Sequence, residues 1–246
     1  SAKGKLLGQA IVGGGFGIAA LVATSTNGQT VASESISFIR DISFLDVGKV
    51  GSVLVFVFVI MAMSNGVNLT DGLDGLATGL AGIAAAAFAV FAYLFGRVDI
   101  TSYLNLFYLP GAGELAVFCA ALMGASIGFL WFNAHPAQVF MGDTGSLAIG
   151  GALGTVAILL KAEFLLLLIG GVFAAEAVSV ILQTGVYRWF KRTRGREYAD
   201  SHRVFRMAPL HHHFEKLGWM ETTVVTRFYI LGLLCALVAL STLKVR

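Results

Sequence analysis

Seven long apolar stretches restrict what this chain can fold into more than any other feature of its sequence. A membrane-spanning helix needs about 20 predominantly apolar residues, and each stretch reaches or approaches that length. The stretches are Leu6–Thr24, Val50–Asn65, Leu76–Phe95, Glu114–Phe132, Leu147–Leu160, Phe164–Tyr187 and Thr226–Leu243. The sequence lacks the strand-like alternation of apolar and polar residues that a transmembrane barrel requires.

The composition excludes a soluble domain of this size. Only 13% of the 246 residues are charged and 57% are hydrophobic, with a mean hydropathy of +0.82. A soluble domain needs more charged side chains to cover its surface. We therefore predict an all-α fold, a polytopic helical membrane protein with about seven transmembrane helices in a single integral membrane domain over residues 1–246.

The distribution of lysine and arginine predicts which ends of the helices face the cytoplasm. The link 188–225 holds the densest group of cations, and links rich in Lys and Arg stay in the cytoplasm. Seven crossings place the links 65–75 and 133–146 on the same side. That side also receives Lys3, Lys5, Asp71, Asp74, Asp143, His211, His212 and His213.

Two Asp-Gly pairs occupy the first of these links, within the string NLTDGLDGL that begins at Asn68. A tight turn followed by a helix cap explains one aspartate, because Asp-Gly favours turns and Asp caps helices. It does not explain both. Asp71 and Asp74 share one face of a helical turn, and paired carboxylates without a nearby cation suit a divalent metal ion or proton transfer.

The second link carries the string FNAHPAQVFMGDTGS, from Phe132 to Ser146. Gly142 lets the backbone approach a ligand closely, and Asp143 adds a carboxylate at the start of a helix, where phosphate is also favoured. Mg²⁺ prefers one or two carboxylates together with substrate phosphate oxygens. Phe140 could stack on a base. The structural alternatives are a helix cap for Asp143 and a membrane-interface aromatic for Phe140.

Three adjacent histidines, His211, His212 and His213, follow Ala-Pro-Leu in the third link. Neighbouring side chains on a helix point about 100° apart, so these three do not all bind one metal ion. Beside a phosphate they would donate hydrogen bonds or positive charge. Glu176 is an acid inside the sixth apolar stretch, where a functional role and a buried polar contact are both open and the buried contact is favoured.

Together the three links predict a pocket at the cytoplasmic surface of the membrane. It combines carboxylates for a cation, a helix N-terminus for phosphate, an aromatic ring for a base, and histidines. A magnesium-dependent transfer of a nucleotide-linked phosphoryl group onto a membrane lipid needs these parts. A cation channel or cation-coupled transporter is the alternative, although transporter sites tend to lie near the bilayer midplane on broken helices.

Three longer strings resemble a known family along the whole chain: NLTDGLDGLATG, FNAHPAQVFMGDTGSLAIGG and RMAPLHHHFEKLGW. They are similar to the polyprenyl-phosphate N-acetylhexosamine 1-phosphate transferases. The triple histidine after Ala-Pro-Leu resembles the muramoyl-pentapeptide branch rather than the N-acetylglucosamine branches, which remain the alternative.

The resemblance implies a reaction and its participants. Phospho-MurNAc-pentapeptide would pass from UDP-MurNAc-pentapeptide to undecaprenyl phosphate, giving lipid I and UMP for peptidoglycan synthesis, with Mg²⁺ as cofactor. The protein would be a multi-pass enzyme of the bacterial cytoplasmic (inner) membrane, among membrane lipids and without a nucleic-acid partner. Members form homodimers and are inhibited by nucleoside antibiotics.

The resemblance also implies roles for individual residues. Asp143 would bind Mg²⁺ and Phe140 would stack on uracil. A catalytic role falls to Asp71, Asp74, Asp143, His211, His212 and His213, and substrate binding to Asn68, Leu69, Gly72, Asn133, Phe140, Gly142, Gln183, Lys3 and Lys5. The family has ten membrane helices and an upstream Asp-Asp pair followed by a lysine, so we expect three helices and that motif to precede Ser1.

Overall fold

The computed structural model describes residues 2–24, 28, 30–37 and 41–244, and these residues are predominantly helical. The helices are α1 Ala2–Val22, α2 Gly48–Thr70, α3 Leu76–Phe95, α4 Val98–Leu104, α5 Ala112–Asn133, α6 Gly142–Leu159, α7 Glu163–Ile169, α8 Gly171–Thr193, α9 Arg196–Ser201, α10 Leu210–Lys216 and α11 Glu221–Ser241. A short 3-10 helix, Thr242–Lys244, follows α11. The prediction of a polytopic helical membrane protein is confirmed.

Six helices of the described part are long and apolar enough to cross a membrane: α1, α2, α3, α5, α6 and α11. The predicted sixth span, Phe164–Tyr187, is not one straight helix, because α7 and α8 meet at an angle of 86°. The bend lies at Gly170 and Gly171, and glycine is a weak helix former. Counting the bent pair as one span brings the number to seven.

Helix α3 lies at the centre of the bundle. Its run of alanines, 84–87, gives neighbouring helices room to approach closely, which small residues do in membrane proteins. Phe88, Phe91 and Phe95 are fully buried on the same helix and fill the space between it and its neighbours. Helices α5 and α11 make the most extensive contacts with α3. The packing of α3 therefore fixes the position of residues 71–75, the part of the polar link that directly precedes it.

Helices α2 and α6 pack closely at a glycine contact. A Cβ atom at Gly150 would lie 2.6 Å from the Cα atom of Ser64, so only glycine fits there. One turn away, the Ser64 hydroxyl donates to the backbone oxygen of Leu147 at 3.0 Å. Because α2 ends at Thr70 and α6 begins at Gly142, this packing brings the last turn of α2 beside the first turn of α6.

The opposite end of the bundle carries a short antiparallel pair of strands, β1 Ser35–Ser37 and β2 Asp41–Asp46, which the sequence analysis did not predict. The backbone N–H of Ser37 donates to the buried carboxylate of Glu163 at 3.1 Å, which ties β1 to the start of α7. This end lies about 27 Å from the start of α6, because α6 has 18 residues and a helix rises 1.5 Å per residue.

Candidate active site

The three polar links lie together at one end of the bundle. Between the long helices they cover 71–75, 134–141 and 194–220, because α2, α5, α6, α8 and α11 extend further into them than the apolar pattern indicates. Asp74 of the first link contacts His135 of the second. The backbone N–H of Asp74 also donates to Glu221, which lies at the start of α11 and within the third link, so all three meet around the first.

A chain of hydrogen bonds joins α1, α2 and α6 beside these links. The Lys5 ammonium donates to Asn68 Oδ1 at 2.8 Å. Asn68 Nδ2 donates to Asp143 Oδ1 at 2.9 Å and to the Ser146 hydroxyl oxygen at 3.0 Å. The structure thus brings together a cation, an amide and an exposed carboxylate that lie far apart in sequence. The hydrogen bond from Asn68 to Oδ1 thus orients the exposed carboxylate of Asp143.

Besides Asp143, Asp71 is a second carboxylate near this chain of hydrogen bonds. Partial burial raises its pKa, and the negative charge of Asp143 raises it further. Two carboxylates that repel each other at a half-buried site are stabilised by a bound cation. Mg²⁺ takes oxygen ligands and retains several waters, so Asp143 with Asp71 beside it fits this ion. The role of Asp143 as a Mg²⁺ ligand stays a prediction.

The raised pKa of Asp71 leads to a prediction about cation binding. Protons compete with the cation for this carboxylate, and they do so at a higher pH than for an aspartate with the ordinary pKa of 3.8. We expect the Kd for Mg²⁺, measured by isothermal titration calorimetry, to fall as the pH is raised from acidic to neutral. In the Asp71→Asn variant this dependence should flatten.

Asp99 provides the matched control for that titration. It lies in the first turn of α4, and a hydrogen bond from Arg97 lowers its pKa. The Asp99→Asn variant should therefore keep the pH dependence of the wild-type protein. An unchanged dependence in Asp71→Asn would show that Asp71 does not contribute to the cation site.

Asp74 forms hydrogen bonds with the second link. Its Oδ2 atom accepts from the backbone N–H of Ala137 at 3.0 Å and lies 3.1 Å from His135 Nδ1. Glu221 Oε1 accepts from the N–H of Asp74 at 2.8 Å, and Glu221 Oε2 lies 3.5 Å from the same histidine nitrogen. The ligand atoms of Asp74, His135 and Glu221 all lie within 4.8 Å of one another. His135 and Glu221 were not among the predicted site residues, and Glu221 lies outside all three strings.

The second link presents the phenyl ring of Phe140 to solvent. Asn133 is nearly buried, and its amide accepts from the Thr78 hydroxyl at 2.8 Å and donates to the Val139 backbone oxygen at 2.8 Å. Asn133 therefore holds the two ends of the link together. Phe140 follows with 74% of its surface exposed, and α6 begins at Gly142, whose φ of +67° favours glycine. This places an exposed ring three residues from Asp143.

The third link is fastened to α8 by Glu176. One carboxylate oxygen accepts from the N–H of Leu210 at 2.7 Å, and the other accepts from the N–H of His211 at 3.2 Å. His211 is fully buried, and its ring lies against Gly72 of the first link. The buried polar contact expected for Glu176 is present, and it secures the start of the helix that carries the three histidines.

The other two histidines lie nearer the surface. His212 Nδ1 lies 2.6 Å from Glu215 Oε2, one helical turn away. His213 Nδ1 accepts from the backbone N–H of Arg206 at 3.1 Å. His212 is partly exposed and remains available to a ligand, whereas His213 is engaged in holding the preceding segment.

The remaining predicted residues have different surroundings. Gln183 accepts from the N–H of Phe205 at 2.9 Å and donates to the oxygen of the same residue at 3.2 Å, so its amide is engaged with the third link. Leu69 is half-buried on α2, and Lys3 is exposed on α1. Several of the predicted residues thus form two groups, one around Lys5, Asn68 and Asp143, and one that joins the links, whereas Lys3 and Phe140 are exposed outside both.

Comparison with known proteins identifies relatives of this chain. The chain is 67% identical over 189 residues to a phospho-N-acetylmuramoyl-pentapeptide-transferase of Gemmatimonas aurantiaca, covering 77% of this chain and 50% of that protein. Proteins with the same name from Methylacidiphilum infernorum and Neisseria meningitidis are 52% and 48% identical over the whole chain, which covers 64% and 65% of their lengths.

The chain therefore spans between half and just under two thirds of the length of these relatives. A family profile provides the broader comparison, and its match includes the first and second links but ends before the third. Because the profile described as glycosyl transferase family 4 matches residues 1–161 of the 246, this chain belongs to that family.

Proposed function

We propose that this protein transfers phospho-MurNAc-pentapeptide from UDP-MurNAc-pentapeptide to undecaprenyl phosphate, producing lipid I and UMP. The observation that carries the proposal is the Lys5–Asn68–Asp143 chain, with Asp71 beside it, at the end of a membrane bundle. The names of the similar bacterial proteins support the same reaction. We place the enzyme in the bacterial cytoplasmic (inner) membrane with the site facing the cytoplasm, where cation-rich links stay.

The polar groups of the Lys5–Asn68–Asp143 hydrogen-bond chain fit a reaction between two phosphates. A bound Mg²⁺ would be held by Asp143, with Asp71 nearby, and would polarise phosphoryl oxygens. Lys5 uses one of its three N–H donors on Asn68, which leaves two for phosphate oxygens. The amide of Asn68 keeps the lysine and the Asp143 carboxylate at a fixed separation. We favour direct attack by the lipid phosphate, because alignment and charge neutralisation are the main requirements of phosphoryl transfer.

The test is an assay of UMP release with purified protein of full natural length. UMP should appear only when UDP-MurNAc-pentapeptide, undecaprenyl phosphate and Mg²⁺ are all present, and chelation with EDTA should stop it. Consumption of UDP-N-acetylglucosamine instead would assign the protein to the related N-acetylglucosamine branch. Cation flux through liposomes without any nucleotide, lost in Asp71→Asn, would support the transporter alternative and overturn the proposal.

Phe140 leads to a prediction about nucleotide binding. We propose that its exposed ring stacks on uracil, and such stacking contributes about 1–3 kcal/mol per base. The Phe140→Ala variant should therefore show a KM for UDP-MurNAc-pentapeptide raised about tenfold, with a smaller change in kcat.

The matched control is Phe58, a phenylalanine on α2 with 71% of its surface exposed in the middle of a membrane span. The Phe58→Ala variant should keep the KM of the wild-type protein. If Phe140→Ala and Phe58→Ala give the same KM, Phe140 is an interfacial aromatic rather than a stacking surface.

Two further expectations belong to this function. Nucleoside antibiotics that resemble UDP-sugars should compete with UDP-MurNAc-pentapeptide, and loss of competition in Phe140→Ala would place them at the same site. We also propose a homodimer in the membrane, which crosslinking in native membranes and mass measurement in detergent would detect.

A further inference from the structure

An acid within a membrane span is costly to bury, so the surroundings of Glu176 require an explanation. It lies in α8, is fully buried, and accepts from two successive backbone N–H groups at the start of α10, those of Leu210 and His211. Its Oε1 atom also lies 3.1 Å from His211 Nδ1. Three donors therefore converge on one carboxylate, and one of them belongs to a histidine ring.

This arrangement fixes which nitrogen of His211 carries the proton. A carboxylate only accepts hydrogen bonds, so Nδ1 must be the donor towards Glu176. In the neutral ring Nε2 then has a free lone pair. Among the described residues, this Nε2 atom is buried and has no hydrogen-bond partner. A buried polar atom without a partner is rare and indicates a constraint imposed by its surroundings.

The unpartnered nitrogen lies against the first link. A Cβ atom added at Gly72 would overlap His211 Nε2 and lie 3.0 Å from His211 Cε1, so the ring occupies the space that a side chain at position 72 would need. Gly72 directly follows Asp71, the carboxylate beside Asp143. The position of the His211 ring therefore determines how closely this turn approaches α10.

We propose that Glu176 is a positioning residue, which holds His211 with its proton on Nδ1 and its bare Nε2 against Gly72, and thereby sets the position of Asp71. The proposal deepens the function proposed above and rests on it. It also assigns His211 a positioning role in place of direct contact with substrate, because the ring is fully buried.

The decisive variant is Glu176→Gln. Glutamine offers one oxygen and places an NH₂ group opposite the remaining donors of α10. If the NH₂ group faces the ring, two donors oppose each other, the glutamine NH₂ and His211 Nδ1–H. This conflict is relieved when the His211 proton moves from Nδ1 to Nε2, and the ring then directs an N–H at Gly72. We expect kcat/KM to fall about 10²-fold, since displacing reacting groups by about 1 Å has an effect of that size. The ¹⁵N spectrum of histidine-labelled protein should show the proton transfer, with His211 assigned through the His211→Asn variant.

Glu163→Gln is the matched control. Glu163 is also a buried carboxylate that accepts a backbone N–H, from Ser37, but it lies at the other end of the bundle. Its variant should retain the wild-type rate and the wild-type ¹⁵N spectrum of the histidines. A loss of rate there equal to that of Glu176→Gln would show that any lost buried carboxylate has this effect, and would overturn the proposal.

The Gly72→Ala variant tests the same contact from the other side, because it leaves Glu176 and His211 unchanged. We expect a comparable loss of kcat/KM. In the double variant Gly72→Ala/Glu176→Gln, the loss of kcat/KM should be much smaller than the product of the two single losses, because both substitutions disturb the same contact. This variant also decides the matter if Glu176→Gln fails to fold.

Two further results would overturn the proposal: wild-type activity in Gly72→Ala, or a ¹⁵N spectrum of the wild-type protein that places the His211 proton on Nε2. If the wild-type protein releases no UMP, the proposed function fails. The ¹⁵N spectrum still reports separately whether Glu176 fixes His211.

Discussion

Replacing Asp143 by asparagine is expected to lower the rate of UMP release by about 10³-fold, because it removes the charge that would hold Mg²⁺ at the phosphates. The side chain keeps an oxygen that can accept from Asn68 Nδ2, so the hydrogen bond between α2 and α6 is preserved. The pKa of Asp71 is raised by burial and, to a smaller extent, by repulsion from Asp143, and the variant removes this second cause. The variant should therefore fold, with a Tm equal to or above that of the wild-type protein, while losing activity.

The matched control is Asp99→Asn. Asp99 is likewise an exposed aspartate in the first turn of a helix, but it pairs with Arg97 at 2.8 Å in the link between α3 and α5. This variant should keep the wild-type rate of UMP release. Full activity in Asp143→Asn at saturating Mg²⁺ would remove this residue from the metal site and leave Asp71 as the remaining candidate of the pair.

Sequence periodicity and composition predicted the membrane helices well, because the cost of burying polar groups in lipid makes the apolar pattern almost sufficient. The main difference is the bend between α7 and α8, where both glycines lie within an uninterrupted apolar run. Hydropathy measures only polarity, so it does not detect a break that depends on the backbone. The strands β1 and β2 were not predicted because three and six residues are too few for an alternation of apolar and polar side chains to be distinctive.

The candidate site was predictable as a set of links, whereas its internal pairing was not. Asp71 and Asp74 appear equivalent in the repeated Asp-Gly string, yet Asp71 lies near Asp143 and Asp74 binds Ala137 and His135. The turn between them sends the two side chains to different neighbours, which depends on tertiary contacts. The contact of Glu221 with Asp74 could not be predicted either. A single acid at the start of a helix is explained by its favourable interaction with the helix dipole, so the sequence gives no reason to place Glu221 in the site.

The contact between Lys5 and Asn68 shows what membrane packing adds to the sequence. These residues lie 63 positions apart and belong to different helices, and their hydrogen bond requires α1, α2 and α6 to end at a common level. Small residues at the helix interfaces set that level, because they determine how closely the backbones approach. The geometry of the site therefore depends on glycines within the membrane as well as on polar residues at its surface.

The Gly150→Ala variant tests this dependence and should have a large effect. A methyl group at position 150 would meet the backbone of α2 at Ser64 Cα, 2.6 Å away, and backbone has little freedom to move aside. We expect α6 to shift outwards, with a loss of stability of about 1–3 kcal/mol. The shift would lengthen the hydrogen bond from Asn68 to Asp143, so kcat/KM should fall about 10²-fold although no polar residue has changed.

Gly124→Ala separates this effect from a general intolerance of larger residues. Gly124 lies on the membrane helix α5, and within the described part of the chain a Cβ atom there would meet no heavy atom within 4 Å other than those of its own helix backbone and chain neighbours. The variant should keep wild-type activity and a Tm at or slightly above the wild-type value, because alanine is the better helix former. Wild-type activity in Gly150→Ala as well would mean that the position of Asp143 does not depend on the packing of α2 against α6, and that the link after α5 alone holds it in place.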